Sequence, residues 1–99
     1  MPIYKTATYL VRQESVPRVK ELVQGFIQDI RASEPGTILY VSMQDMINPQ
    51  RFVHVYAFAD ETAETRHHDA NITKEFTQAL QGELVGDVHF GDFVLIAST

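Results

Sequence analysis

The stretch Phe52–Phe76, FVHVYAFADETAETRHHDANITKEF, decides how this chain is read. An apolar strand over Phe52–Ala59 feeds through a charged turn into a short helix carrying His67 and His68. A second helix opens at Asn71 and presents Phe76. Asp60 stands where it can cap the short helix, with Glu61 and Glu64 near its positive end. If that helix runs through Ala63–Ala70, then Ala63, His67 and Ala70 share one face at i, i+4 and i+7. Large side chains would fill the space there. Two alanines leave room beside an imidazole, and this face is the leading candidate for a site.

Upstream, Ile3–Val11 is rich in β-branched and aromatic residues and predicts strand one. Ser15 is the expected N-cap of the helix that follows, with Pro17 in its first turn, where a missing N–H does no harm. Val16, Val19, Leu22, Val23, Phe26, Ile27 and Ile30 form its apolar stripe. Gly25 inside that helix costs about 1 kcal/mol relative to alanine, which predicts close packing at that point. Glu34-Pro35-Gly36 ends the helix. Thr37–Met43 reads as strand two, and Gln44–Arg51, containing Asn48-Pro49, as its hairpin connection to Phe52. Downstream, Ile72, Phe76, Ala79 and Leu80 stripe the last helix, and Gly82 stops it. Leu84–Ala97 reads as the final strand, with a bulge or bend at Gly86 or Gly91.

The order βαββ(αα)β describes a single ferredoxin-like α+β domain over residues 1–99, four antiparallel strands with helices on one face. Such a sheet should alternate apolar and polar residues if its other face were wet. Here Phe52, Tyr56 and Phe58 lie against Val53, Val55 and Ala57, and Leu39, Val41 and Met43 against Ile38 and Tyr40. Helices cover one face only. The economical cover for the other is a second copy of the same sheet, so a homodimer closing into an α/β-barrel is expected.

The 99 residues carry 8 basic and 13 acidic side chains, and the net charge of -5 argues against nucleic acid or an anionic membrane surface as partner. Without cysteine there is neither a disulfide framework nor a thiolate nucleophile. The start, MPIYKTATYLV, does not read as a signal peptide, and no apolar run approaches the roughly 20 residues that span a bilayer. A cytoplasmic protein is the expectation.

His67 reads either as a half-buried packing histidine or as a base or hydrogen-bond donor at a pocket between helices and sheet. His68 points about 100° away on an ideal helix, into solvent. Adjacent helical positions do not converge on one ion, so no metal site is expected. His54 shares its side of the strand with Phe52, Tyr56 and Phe58 and joins either a site or the dimer core. Tyr56 and Phe58, like Tyr4, Tyr9 and Tyr40, either line an aromatic pocket or simply pack. Asp87 and Asp92 read as surface or turn residues. Neither a glycine-rich phosphate loop nor a nucleophile elbow is present.

The stretch Phe52–Phe76 resembles the antibiotic biosynthesis monooxygenase family of the dimeric α/β-barrel superfamily. That family shows an apolar strand ending in Glu-x-Trp, an acidic turn, a helical Ala-x-x-x-His, a second His five residues on, and an aromatic residue four beyond. Phe52–Val55, Ala63, His67 and Phe76 match; Tyr56, Phe58 and Ile72 stand at the Glu, Trp and second His positions. Strand one holds no Asn and the chain no Trp, unlike the family's haem-degrading branch, so haem degradation is not expected. The resemblance implies oxygenation without metal, flavin or other cofactor, of a small aromatic quinol or anthrone by dioxygen. His67 would be the catalytic base, with His54, Tyr56, Phe58, Ile72 and Phe76 around the substrate. The same scaffold also admits a non-catalytic dimeric module that binds a small hydrophobic ligand, and an isomerase that needs only a proton shuttle.

Overall fold

Side chains alternating between two faces make Ile3–Val11 a strand, β1, in the computed structural model, which describes all 99 residues. Strand β2 covers Thr37–Gln44, β3 covers Arg51–Phe58 and β4 covers Leu84–Phe93. They form one antiparallel sheet in the order β2-β3-β1-β4. Helix α1, Val16–Ser33, follows a 3₁₀ turn at Gln13–Ser15; α2, Glu61–Asp69, and α3, Asn71–Gln81, connect β3 to β4. The result is the ferredoxin-like α+β fold expected from the sequence.

Register assigns the faces. The pairs Tyr9↔Phe52, Ala7↔His54 and Lys5↔Tyr56 look towards the helices, while Tyr4↔Ala57, Thr6↔Val55 and Thr8↔Val53 look away. Tyr9, Val11, Val19, Val23, Phe52 and Leu80 pack into one core cluster, and Ala7, Tyr56, Phe58 and Ala63 into a second beside it. On the opposite face Leu39, Val41, Met43, Val85 and Phe93 lie exposed in this single chain, with Val53 and Val55 half-buried between them. That sheet face is therefore apolar across β2 and β3, with Thr6 and Thr8 of β1 beside them.

Several local expectations change. Helix α2 stops at Asp69, and Ala70 is extended (φ -64°, ψ 140°), serving as the residue before α3. The face Ala63–His67–Ala70 is thus cut at its last member. Ala63 does not leave room for a ligand either: a Cβ on Gly36 would lie 2.5 Å from its methyl carbon, so the two small residues let α2 approach the α1–β2 turn. Asp60 caps α2 as expected, its carboxylate accepting from the Ala63 N–H at 2.9 Å. Ser15 makes no side-chain cap; buried, it donates to Glu83 Oε1 at 3.0 Å and ties the start of α1 to β4's approach. Strand β4 ends at Phe93 rather than Ala97, because its partner β1 pairs only as far as Tyr4↔Phe93. Gly86, with φ +79°, sits where the β1–β4 register shifts.

Gly25 was expected in close packing, yet a Cβ there would meet nothing within 4 Å. Gly25→Ala should therefore raise stability by about 0.5–1 kcal/mol, since the methyl group finds open space and the helix gains propensity. Gly36→Ala should lower it by about 1–3 kcal/mol through overpacking against Ala63. Urea unfolding of the two variants beside wild type checks both signs.

Candidate functional site

A hydrogen bond between two nearly sealed side chains organises the region where α2 meets the sheet. His67 Nδ1 and Glu34 Oε1 lie 2.7 Å apart, and the two side chains are 5% and 8% exposed. Glu34 stands at the C-terminal cap of α1, His67 in the last turn of α2. The same Glu34 oxygen accepts from Thr37 Oγ1 at 2.9 Å. With the carboxylate ionised and the ring neutral, the proton of the shared bond sits on Nδ1 and the lone pair on Nε2, because a carboxylate only accepts. Nε2 has no partner in the protein.

Behind this pair the sheet carries a second polar chain. His54, on β3, is 2% exposed and sits between two phenols, Tyr9 OH 2.9 Å from Nε2 and Tyr40 OH 2.9 Å from Nδ1. Burial pushes the His54 imidazole down to about 4, so it is neutral near pH 7. Burial likewise pushes Tyr9 and Tyr40 well above the usual phenol range, and Tyr56 upward, so all three keep their protons. Lys5 bridges Glu64 of α2 at 2.8 Å and Asp92 of β4 at 2.9 Å, with its ammonium held above its ordinary range chiefly by the Glu64 hydrogen bond. This cation ties α2 and β4 to β1.

Between sheet, α2 and α3 lies a cavity of about 130 Å³. Tyr9, Tyr40, His54 and Tyr56 line it from the sheet, His67 from α2, and Thr73 and Phe76 from α3. Phe26 and Phe76 stack at 4.2 Å and Tyr40 and Tyr56 at 4.9 Å, which makes two of its walls rigid. The exposed residues His68, Thr77 and Phe90 mark its mouth. Larger grooves run along α1, of about 380 Å³ beside β2 and about 390 Å³ beside α3, but every charged residue along them is exposed. The small cavity joins two buried histidines to an aromatic wall, the combination that marks a binding or active site. The cavity offers an imidazole, His67, at an aromatic wall that carries neutral hydroxyls on the sheet side.

Of the residues expected at the site, His67, His54, Tyr56 and Phe76 meet around this cavity. Phe58 does not reach it: fully buried, it packs behind the His67 ring at 5.1 Å between centroids. Ile72 faces outward, into the grooves beside α1 and beside Gly36, because α3 starts afresh after the break at Ala70. Ala70 lines the groove beside Gly36 rather than the cavity. His68 is exposed, 3.8 Å from Glu64. Sequence reasoning missed Glu34, taken only as part of a helix stop. A carboxylate at the negative end of a helix is unfavourable on its own, and that mismatch was the available signal. Tyr9 and Tyr40 carried no signal beyond being aromatic on strands. No group of three or more His, Asp or Glu side chains is arranged to hold a metal ion.

A model of the family described as antibiotic biosynthesis monooxygenase matches residues 2–79. No curated protein matches the chain. Among solved structures, a protein of Bacteriodes thetaiotaomicron VPI-5482 superposes with a TM-score of 0.90 at 14% identity, covering 97% of this chain and 90% of that one. A conserved protein from Methanosarcina mazei Go1 gives 0.86 at 22% identity, over 94% and 91%. A structure named as an antibiotic biosynthesis monooxygenase gives 0.88 at 17%, over 96% and 99%. At these identities the likeness speaks for the fold.

The depressed His54 has a consequence for stability. Its unfolded imidazole takes a proton near pH 6.5 and its folded one only near 4, so between these values the unfolded state binds more protons and stability rises with pH. This contribution, ~3 kcal/mol in full, is present above pH 6.5 and is lost as pH falls towards 4. Urea unfolding from pH 7 to 4.5 should show that decline in wild type and a flatter profile in His54→Gln.

Proposed function

The chain belongs to the antibiotic biosynthesis monooxygenase family, and from that premise we propose that it is a cofactor-independent monooxygenase of small aromatic quinol-like substrates. The observation that carries the reading is the His67 imidazole at the wall of an aromatic cavity, with Nδ1 anchored on buried Glu34 and Nε2 without a protein partner. A quinol hydroxyl placed against Nε2 gives up its proton, and Glu34 offsets the charge of the imidazolium that forms. The resulting anion is electron-rich enough to reduce dioxygen itself. A quinol and dioxygen then give a hydroxyquinone and water, the quinol supplying all four electrons. The protein's part is to exclude water, orient the ring and hold the anion. Phe76, Tyr56 and Tyr40 supply the ring contacts, and His54, tied at both nitrogens, acts through its tyrosines rather than as a base.

A second reading rests on a specific observation. Tyr56, Phe58 and Ile72 stand where the family resemblance expects Glu, Trp and His, which favours a module that binds a small hydrophobic molecule without turning it over. Oxygen uptake with a panel of reduced quinols and anthrones separates the two. Wild type should consume oxygen, and His67→Ala should lose about 10²–10⁴-fold in rate. Equal rates would remove His67 from catalysis; no uptake in either protein, alongside saturable ligand binding, would support the binding module.

We further propose that two chains pair through the open sheet face, where Leu39, Val41, Met43 and Phe93 otherwise meet water. The 11.2 kDa chain should sediment at about twice that mass at micromolar concentration, and Val41→Lys should shift it towards monomer. A stable wild-type monomer would overturn this pairing.

A further inference from the structure

A count of protons along the sheet defines what the cavity selects. A neutral imidazole has one N–H and one lone pair, yet His54 meets a phenol on each nitrogen. One tyrosine must donate into the ring. The other must accept from it, which leaves that tyrosine's own O–H proton without an acceptor. Neither Tyr9 OH nor Tyr40 OH has any other partner in the protein, and both residues line the cavity. The cavity thus offers one strong acceptor, His67 Nε2, and one spare phenolic donor. Both are fixed to rigid elements, His67 by Glu34 and the tyrosines by His54.

Size sets the other limit. A void of about 150 Å³ accepts a benzene-sized guest. This one, at about 130 Å³, is bounded by the stacked pairs Phe26–Phe76 and Tyr40–Tyr56. A fused two- or three-ring system would have to displace one of those stacks or remain in the mouth beside Phe90.

We infer that the cavity selects a single aromatic ring bearing two oxygen substituents, a hydroxyl that donates to His67 Nε2 and a second oxygen that accepts from the free tyrosyl O–H of the Tyr9–His54–Tyr40 chain. This makes Tyr9 and Tyr40 specificity-determining residues. The inference rests on the quinol reading for the hydroxyl against His67, but it concerns binding and requires no turnover.

The test uses ligands that do not react. Isothermal titration calorimetry compares the ortho, meta and para isomers of methoxyphenol with the ethylphenols of the same shape, and then with naphthol and anthrol. One methoxyphenol isomer should bind one per subunit, about tenfold or more tighter than its ethyl counterpart, because the ethyl group leaves the tyrosyl donor unpaired. Naphthol and anthrol should bind at least tenfold more weakly than that isomer. Tyr9→Phe and Tyr40→Phe keep the rings and so the walls; at least one of them should abolish the methoxy-over-ethyl preference while still binding ethylphenol. Preference for the ethylphenols at every position, persistence of the methoxy preference in both variants, or anthrol binding as tightly as the single-ring phenols would overturn the inference. Absence of oxygen uptake, with these binding preferences intact, would instead count against the oxygenase alone.

Discussion

The hydrogen bond from His67 to Glu34 is the contact on which the arrangement of this protein turns. It joins the residue that caps the end of α1 to the last turn of α2 across a buried interface, and it reaches that interface only because Gly36 and Ala63 allow the two elements to touch. A carboxylate sealed this far from water needs its charge answered. His67 and Thr37 answer it on one oxygen, while Oε2 has no partner within the chain. This bond is the one the His67 side chain makes within the protein, and it ties α2 to the end of α1. The cavity exists because α2 is held there.

The same economy governs the sheet. A face covered by helices would ordinarily be aliphatic, but β1, β2 and β3 present Tyr9, Tyr40, His54 and Tyr56 to the interior. Burying that many polar tips is tolerable only if they satisfy one another, and a histidine between two tyrosines does so with a single mobile proton to spare. Polar groups that cost stability are thereby kept neutral and ordered. Lys5 completes the frame from the edge, holding α2 and β4 to β1 through two carboxylates. Function and stability draw on the same few side chains, which is why the pH response of folding is tied to His54.

Much of this was legible in the sequence because the signals were local. Period-2 alternation, a capping Asp60, a stripe along α1 and the glycine stop at Gly82 each depend on neighbours a few residues away, and the βαββ(αα)β order followed from them. The strand ends were less legible: β4 stops where β1 runs out of partners, a fact about pairing rather than about Val94 or Leu95. His67, His54, Tyr56 and Phe76 were nominated and meet at one cavity. Ile72 was not separable from them in sequence, because the break at Ala70 resets the helical phase and turns it outward. Glu34 and the two phenols on His54 were invisible for a deeper reason. Glu34 lies 33 positions from His67, and Tyr9 lies 45 from His54, so only the closed fold creates these partnerships. The smallness of Ala63 was visible, but its cause, the approach of Gly36, was not.

The proposed chemistry requires Glu34 to fix His67 in the tautomer that leaves its lone pair on Nε2. Nitrogen-15 NMR of the imidazole ring measures this directly at a pH where the ring is neutral. Wild type should show a protonated, pyrrole-type Nδ1 and an unprotonated, pyridine-type Nε2. Glu34→Gln should lose that bias, since the amide no longer demands a donor. A wild-type ring with its proton on Nε2, or one that exchanges freely between tautomers, would contradict that chemistry.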